Sequence, residues 1–544
     1  MLEHPVMEPR LLSILLLAYF VVTVLSFPVL DVSSTCEKTQ VAILGAGVAG
    51  ITAAQALAKN SVSDFLIVEY NSEIGGRCRH APFGKDGQGN PYIVELGANW
   101  IEGIMSQGGP TNPIWTLAQK YNVKNHFSNF SSPLTYDTNG PVDYLDQLDT
   151  FGDAYSIVEQ DAGNILLENL QDRSFRAALN LAGWRPIGDP QAQAVEWYQM
   201  DYEYAQTPVS IRLTLFPTEA LDVSSQEFTI ANYNSTFYGF SEDTNFVVDQ
   251  RGFNSFVRGQ ASEFMKTNDS RLHLNTVVKN IAWSGQGVSI VNADGSCIDA
   301  AYAILTFSVG VLRSGDIHFS PELPDWKNTA IQTFEMGIYT KIFLQFPPDR
   351  VFWDKSTEFF LYASSMRGYY PAWQSLDHQD FLPGSGILFV TIVTDQSYVV
   401  DMQDDDTTKQ QVLAVLRQMF GENNVPEPTA FMYPRWSTVP WAYGSYSNWP
   451  PGLTLEGHQN LRANNGRLWY AGEATSAEFF GYLQGAYFEG QLAGENIAAC
   501  LNGSDDARCV SQKSYEVLHG TTDLDEYMLV NGWTETSFQT VGDV

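Results

Sequence analysis

Three charged side chains stand where the surrounding sequence is apolar or aromatic. Lys341 interrupts the alternating apolar run YTKIF, Glu102 lies two residues after Trp100, and Glu203 is flanked by tyrosines in DYEYAQ. Burial penalises an ionised group, so a carboxyl among aromatic residues either pairs with a cation or has a raised pKa. A lysine that points into the core likewise requires a hydrogen-bonding partner or a functional role. Each glutamate taken singly is also compatible with a solvated surface position. Together the three are candidates for binding a cation or moving a proton.

An apolar strand followed by a glycine-rich turn precedes these residues. The motif GAGVAG supplies Gly45, Gly47 and Gly50, a helix is predicted over 51–59, and a second apolar strand ends in Glu69. The first glycine permits a tight turn, the second lets backbone approach a pyrophosphate, and the third lets the helix pack on the strand. Glu69 is placed to accept a hydrogen bond from a ribose hydroxyl. This order of elements predicts a dinucleotide site.

Two further loops extend the predicted site. Arg77 ends the run IGGR, where backbone amides and a guanidinium suit a second phosphate group. Gly97 and Ala98 precede Trp100 in ELGANWIEG, and their small side chains would let backbone lie against a flat ring system.

Composition excludes some classes of protein. The chain has 544 residues, enough for two or more domains, and its 30 basic and 62 acidic residues give a net charge of -32. Nucleic-acid binding needs a basic surface, so it is excluded as a function. The negative charge favours a cationic ligand, although it is also compatible with a role in solubility alone.

The first residues predict export from the cell. Residues 1–27 contain an apolar run that is short for a membrane span and fits a secretory signal peptide, with an uncleaved anchor as the alternative. We expect a secreted protein, extracellular or in a cell wall, with no membrane contact in the mature form. Glycosylation motifs agree, at Asn129, Asn234, Asn268 and Asn502.

Five cysteines are too few for a disulfide framework. Cys500 and Cys509 are close enough in sequence to pair, whereas Cys36, Cys78 and Cys297 have no obvious partners. Their spacing is unlike that of a zinc site, and no metal is predicted.

Ordered motifs over residues 39–500 resemble those of the flavin-containing amine oxidases, most closely the secreted polyamine oxidases. They are VAILGAGVAG, IGGR, ELGANWIEG, DYEYAQ, VVDQRGF, YTKIF, PRW, SNWP, YAGEATS and GYLQGAY. The resemblance implies oxidation of a polyamine by hydride transfer to flavin N5. Oxygen then reoxidises the flavin and yields H2O2, an aminoaldehyde and an amine.

The family's architecture implies an α/β, Rossmann-like FAD-binding domain interleaved with an α+β substrate domain built on a mixed sheet. We assign residues 39–123, 239–331 and 462–505 to the former, and 124–238 and 332–461 to the latter. Residues 506–544 form a tail without a predicted role. Within the substrate domain, apolar periodicity predicts helix over 162–182. A monomer is expected.

The resemblance also assigns roles to single residues. It implies that Val278 packs near the adenine, that Trp436 lies beside the flavin, and that Glu473 contacts the ribityl–phosphate part of FAD, although alone Glu473 also fits a helix cap. FAD should be non-covalent, because residues 443–446 contain no cysteine. Lys341 would hold a water near N5.

The same resemblance implies a narrow substrate tunnel. Glu102 and Glu203 would hold the amines, and Tyr482 would also touch the cofactor. Tyr339 is counted with Lys341 and Glu102 among the catalytic residues. The aromatic residues that would form the walls are Trp100, Tyr204, Tyr339, Tyr446 and Tyr482. Cation–π contact suits such ligands.

Hydride loss requires a neutral amine, whereas an aliphatic amine has a pKa of ~10. A charged carboxylate beside the reacting nitrogen would raise that pKa further. We therefore predict that Glu102 accepts a proton or holds a nitrogen other than the reacting one.

Other functions stay open at this point. An oxidase of another amine or of an L-amino acid is possible, and the latter needs an arginine for the substrate carboxylate, for which Arg251 and Arg435 are candidates. A flavin-binding protein without turnover is the alternative outside enzymes.

Overall fold

A computed structural model describes residues 36–104, 111–167, 172–205, 240, 243–477, 479–504 and 509–518. The predicted signal peptide, the glycosylation motif at Asn234 and most of the tail lie outside these ranges. No helix within them is long and apolar enough to cross a membrane.

The strands, numbered in chain order within the described residues, are β1 Glu37–Leu44, β2 Phe65–Val68, β3 His80–Phe83, β4 Tyr92–Glu95, β5 Trp100–Ile101, β6 Asn125–Phe127, β7 Leu134–Asp137, β8 Gly140–Pro141, β9 Asn245–Val247, β10 Leu272–His273, β11 Val278–Ser284, β12 Gly287–Asn292, β13 Cys297–Leu305, β14 His318–Ser320, β15 Glu335–Gly337, β16 Tyr339–Gln345, β17 Phe359–Ala363, β18 Ala372–Ser375, β19 Ile387–Val393, β20 Ala430–Met432, β21 Tyr446–Asn448 and β22 Leu468–Tyr470.

The helices are α1 Val48–Lys59, α2 Pro113–Lys120, α3 Asp146–Leu167, α4 Phe175–Leu181, α5 Pro190–Glu196, α6 Tyr202–Tyr204, α7 Ser255–Ala261, α8 Val309–Arg313, α9 Asp325–Thr333, α10 Thr394–Met402, α11 Asp405–Phe420, α12 Leu455–Arg462 and α13 Leu483–Leu501. A π-helical turn, Trp197–Asp201, joins α5 to α6. Short 3-10 turns are Pro348–Arg350, Trp436–Thr438 and Glu473–Thr475.

The first large sheet has the strand order β10-β2-β1-β13-β12-β11-β14, and β22 pairs with the second half of β13. Its centre is parallel: β1 lies between β2 and β13, with Ile43 opposite both Ile67 and Ile304. Val41 to Leu44 are fully buried. An uninterrupted apolar strand of this kind is expected where both faces of a parallel sheet are covered.

Helices α1 and α13 pack closely beside this sheet. A Cβ atom on Gly490 would lie 2.2 Å from the carbonyl oxygen of Ala49, and one on Gly494 would lie 2.5 Å from that of Ala53. These glycines let the two helix backbones approach each other closely.

We expect Gly490→Ala to destabilise the protein by about 2 kcal/mol, because the added methyl group must displace helix backbone. Gly152→Ala is the control: Gly152 lies exposed in α3, its Cβ would meet nothing within 4 Å, and alanine favours helix there. Thermal unfolding should show a lower midpoint for Gly490→Ala only; equal midpoints would contradict the close packing.

The second large sheet has the order β20-β16-β19-β18-β17-β7-β8. Strands β17 and β7 are parallel and the other pairs antiparallel, so the sheet is mixed, as expected. In β16, Ile342 and Leu344 enter the core under α11, whereas Phe343 packs against Phe83 and Phe389 on the other side. This alternation leaves Lys341 on the side of residues 97–99.

Several local predictions are confirmed, with shifted ends. α1 begins at Val48 rather than at residue 51, since Gly47 is already its N-cap. The periodicity over 162–182 falls on two helices: α3 is described as far as Leu167, and α4 starts after Ser174, whose hydroxyl accepts from the N–H of Ala177.

The disulfides correct one expectation. Cys500 pairs with Cys509 as predicted. Cys36 and Cys297, which had no obvious partners, form a second disulfide. The reason is sheet register: β1 and β13 are parallel with Glu37 opposite Ile298, so the residues before them are neighbours. Cys78 is free and buried.

Candidate active site

The glycine turn has the geometry that its motif predicts. Gly45 has φ +117°, and its N–H donates to the carbonyl of Val68 at 2.8 Å. A Cβ on Gly50 would lie 2.0 Å from the carbonyl oxygen of Gly45. Gly47 caps α1, whose first N–H groups are left for an anion.

Glu69 is held at this turn by the chain itself. One carboxylate oxygen accepts from the N–H of Ala46 at 2.8 Å, and the other accepts from the backbone and side-chain nitrogens of Asn71, both at 2.8 Å. Carboxylate oxygens have about four acceptor positions in all, so capacity for a ribose hydroxyl remains.

Arg77 and Glu473, predicted to touch different parts of a cofactor, contact each other. The guanidinium donates to the carboxylate at 2.7 Å. Glu473 also accepts from the backbone and hydroxyl of Ser447 and, at 2.8 Å, from the N–H of Gly481. The glutamate therefore ties together three distant chain segments under the predicted cofactor site.

One cavity of about 730 Å³ joins the glycine turn to the aromatic cluster. The predicted residues that line it are Gly45, Gly47, Glu69, Arg77, Gly97, Ala98, Trp100, Glu102, Glu203, Tyr204, Val278, Tyr339, Trp436, Tyr446, Glu473 and Tyr482. Gly50 and Lys341 are outside this lining. Gly50 serves helix packing instead.

Lys341 lies directly behind the cavity wall. It is fully buried, and its Nζ donates to the carbonyl of Gly97 at 2.9 Å and to Oδ1 of Asn99 at 3.0 Å. The ammonium is 5.5 Å from the centre of the Trp100 ring. Burial lowers the pKa of Lys341 to about 7, against the opposing effect of Glu95. A group with that pKa can exchange a proton near neutrality.

Glu102 and Glu203, which are far apart in the sequence, line the same cavity. Oε2 of Glu102 accepts from the Thr244 hydroxyl at 2.8 Å, and Oε1 of Glu203 accepts from the hydroxyl of Tyr482. Burial, with the charge of Glu203 as the second cause, raises the pKa of Glu102 to about 8. Burial also raises the pKa of Glu203. A cationic ligand between two such carboxyls would favour their ionised forms.

Aromatic rings form the walls around the two glutamates. Tyr202 packs edge-on against Trp100 and Tyr339, with ring centroids 6.2 and 5.9 Å apart. Tyr339 is 6.2 Å from Tyr446, whose hydroxyl donates to the backbone carbonyl of Glu203. Tyr446 therefore fixes the glutamate as well as lining the cavity.

Sequence reasoning missed residues that position the predicted ones. Asn99 accepts from Lys341 and donates to the carbonyl of Val247 at 3.0 Å; its place between Gly97 and Trp100 in ELGANW was the available signal. Thr244 carried no signal of its own. Gly97 is expected to lie against a ring system. The packing of the backbone also requires glycine at this position, since a Cβ there would lie 1.8 Å from the carbonyl oxygen of Arg77.

The two arginines considered for a substrate carboxylate lie elsewhere. Arg251 pairs with Asp249 and donates to backbone carbonyls, and Arg435 pairs with Asp405. Among the described residues that line the cavity, the single arginine is Arg77, which is engaged by Glu473. Neither of the two candidate arginines therefore lines the cavity.

The residues present fit a flavin dinucleotide. The glycine turn and Glu69 suit the nucleotide part of such a cofactor, because the glycines leave the backbone accessible to it. The cavity volume is within the range of ~300–1,000 Å³ that is usual for ligand sites. Trp436, whose indole N–H donates to the carbonyl of Leu96 at 3.3 Å, and the Gly97–Ala98 backbone line the part that leads to the glutamates. Fold and site together define a dinucleotide-dependent oxidoreductase with an aromatic, acidic substrate pocket.

Comparisons with known proteins agree. Residues 48–498 match the family model of flavin-containing amine oxidoreductases, and the chain belongs to this family. It is 36% identical over 479 residues to polyamine oxidase 1 of Zea mays, covering 85% of this chain and 90% of that one. It is 35% identical to polyamine oxidase 7 of Oryza sativa subsp. japonica, covering 84% and 94% of the two chains. The resemblance to flavin amine oxidases is thereby confirmed.

A solved structure shares the fold. Wild-type putrescine oxidase bound to putrescine matches with a TM-score of 0.62 at 17% identity, over 85% of this chain and 99% of that chain. The expected fold class, an FAD-binding domain combined with a substrate domain on a mixed sheet, is confirmed.

We expect Glu473→Gln to weaken cofactor retention and to destabilise the protein by about 3 kcal/mol, because an amide would present N–H groups to donors and leave Arg77 without its carboxylate partner. Gel filtration followed by the flavin-to-protein absorbance ratio measures retention. Glu73→Gln is the matched control, since Glu73 pairs with Arg79 at the surface and such pairs contribute ~1 kcal/mol or less. Full retention in Glu473→Gln would contradict this role.

Proposed function

We propose that this protein is an FAD-dependent polyamine oxidase that oxidises linear amines of the spermine and spermidine class. The observation that carries the proposal is the pair of half-buried carboxyls, Glu102 and Glu203, inside an aromatic cavity continuous with the glycine turn. The polyamine oxidases among its relatives support the substrate class.

FAD bound in this cavity would supply an acceptor for the hydride on the carbon next to the amine nitrogen and a route for the two electrons to oxygen, which gives H2O2. The protein must bind the amine, orient it and set its protonation. Glu203, held by Tyr482 and Tyr446, attracts one nitrogen of the chain. The rings of Trp100, Tyr339 and Tyr446 exclude water and suit ammonium groups.

In this proposal Glu102 accepts the proton that leaves the reacting nitrogen. An amine arrives as a cation, and its proton must leave before the hydride can. A carboxyl with a pKa of about 8 is close in basicity to a buried amine, so transfer to it is nearly balanced. Lys341, anchored by Gly97 and Asn99, would hold a water at its ammonium and assist reoxidation.

We also propose that the protein is secreted, monomeric and glycosylated. Support comes from the two disulfides, which persist in oxidising compartments. Three of the motif asparagines are exposed, namely Asn129, Asn268 and Asn502. Mass spectrometry of protein from its source, before and after deglycosylation, tests both the cleavage after residue 27 and the sugars.

The test of function is peroxide release from purified holoprotein offered spermine, spermidine, their acetylated forms, monoamines and L-amino acids. We expect peroxide with the polyamines and a yellow supernatant after acid precipitation, because FAD is held without a covalent bond. Peroxide from amino acids alone, or from no amine, would contradict the proposal and favour an amino acid oxidase or a non-catalytic flavoprotein.

A further inference from the structure

Four charged side chains form a buried network outside the cavity, behind the segment that carries Glu203. Arg176 donates with both Nη atoms to Glu196, and Arg367 donates to Glu196 at 2.8 Å and to Asp201 at 2.8 Å. Their side chains are between 2% and 17% exposed. Two arginines and two carboxylates balance in charge, which is the condition for burying them together.

Arg367 joins the two ends of the π-helical turn Trp197–Asp201. The N–H of Tyr202 donates to the carbonyl of Trp197, five residues earlier, which is the bond that defines a π-helix. Glu196 and Asp201 are also five residues apart. In an α-helix of 3.6 residues per turn, five steps would turn the two side chains well away from each other. One guanidinium can hold both only while the π-turn persists.

The same turn sets which side chains face the cavity. Tyr198, Gln199, Tyr202 and Glu203 line it, whereas Glu196 and Asp201 point to the network behind. The loop that carries Arg367 also touches the turn, since a Cβ on Gly368 would lie 3.2 Å from the indole nitrogen of Trp197.

The far end of the segment is held separately. Ala205 has φ +43°, and the amide of Asn448 donates to the carbonyls of Tyr204 and Ala205 at 2.8 and 3.0 Å. The segment from 197 to 205 is therefore fixed at its start by Arg367 and at its end by Asn448.

We infer that Arg367 is a positioning residue for substrate binding: by bridging Glu196 and Asp201 it maintains the π-turn that directs Tyr202 and Glu203 into the cavity. This inference rests on the proposed function for its substrate. Loss of the bridge would let the turn relax, rotate Glu203 and weaken the hold on a distal ammonium while leaving the cofactor end unchanged.

The experiment compares Arg367→Lys with Arg176→Lys in the flavin-loaded, full-length protein. Both variants keep a buried positive charge and lose a planar fork. Arg176 contacts Glu196 alone within this network, so only Arg367→Lys removes hydrogen bonds at both ends of the turn. We expect the KM for spermine to rise about tenfold or more in Arg367→Lys, as small misplacements cause, with the flavin spectrum and the reoxidation rate unchanged. Asp201→Asn should act in the same direction.

Hydrogen exchange of the amides of residues 197–205 provides a readout that needs no turnover. Faster exchange there in Arg367→Lys, and not in Arg176→Lys, supports the inference. An unchanged exchange rate, or a KM equal in both variants, overturns it. If the wild type oxidised no amine, the proposed function would fail on that result, and the exchange rates would still decide whether Arg367 holds the turn.

Discussion

Glu102→Gln should oxidise spermine at least about a hundredfold more slowly than the wild type, because positioned general bases contribute ~10²- to 10⁴-fold. Glutamine preserves the size of the side chain and can still contact Thr244, but it cannot accept a proton. The affinity for FAD should be unchanged, since Glu102 is predicted to contact the amine and not the cofactor. Anaerobic flavin reduction after rapid mixing with spermine measures the step directly.

The pH profile distinguishes this role from simple binding. The pKa of Glu102 is raised to about 8, so its carboxylate form, the proton acceptor, is populated only as pH rises through that value. The rate of flavin reduction at low spermine concentration, which reports the groups of the free enzyme, should therefore rise in the wild type between about pH 7 and 9, and Glu102→Gln should lack this rise. A rate independent of pH in the wild type, or an equal rise in the variant, would contradict the assignment.

Glu358→Gln is the matched control for Glu102→Gln. Glu358 is a buried carboxyl whose pKa burial likewise raises, to about 7. It accepts from Ser128, Asn129 and Gln374 and does not line the cavity. Its variant should keep the wild-type reduction rate and pH profile.

Lys341→Met should slow the reoxidation of the reduced enzyme by oxygen about a hundredfold, the usual effect of removing one donor from a site where charge develops. The methionine fills the same apolar space without the ammonium that Gly97 and Asn99 orient. Flavin reduction by spermine under anaerobic conditions should change far less. Stopped-flow mixing of the reduced protein with oxygenated buffer separates the two half-reactions.

Lys327→Met tests whether any buried lysine would produce this effect. Lys327 is likewise fully buried, and its Nζ donates to the carbonyls of Leu461 and Ala463, outside the cavity lining. Its loss should lower thermal stability and leave reoxidation unchanged. A reoxidation rate equal to that of the wild type in Lys341→Met would remove the lysine from the proposed mechanism.

Local patterns carried most of the fold. Apolar runs visible within a short window account for the strands Phe65–Val68, Phe359–Ala363 and Ile387–Val393, and small residues account for the close packing of α13. The Cys36–Cys297 disulfide does not, because it depends on the register between strands whose cysteines are 261 residues apart.

The sequence indicated which residues belong to the site, but it did not indicate which of them contact each other. Motifs indicated Arg77 and Glu473 separately, but only the folded chain shows that they bind each other. Lys341 was expected to act at the cavity, and the structure places it one layer behind the lining, with Asn99 as its partner. The π-turn has no sequence signature of its own, so Arg367 could not be linked to Glu203.

The position of β1 in its sheet has a consequence for how the chain folds. Its neighbour β2 is the next strand in the chain. The strands that complete the parallel centre of the sheet, β13 and then β22, come much later in the sequence. A nascent chain thus exposes one edge of β1 until those strands have been synthesised. Such non-local pairing gives a high contact order, and we expect slow refolding with a strong tendency to aggregate when the unfolded protein is diluted from denaturant.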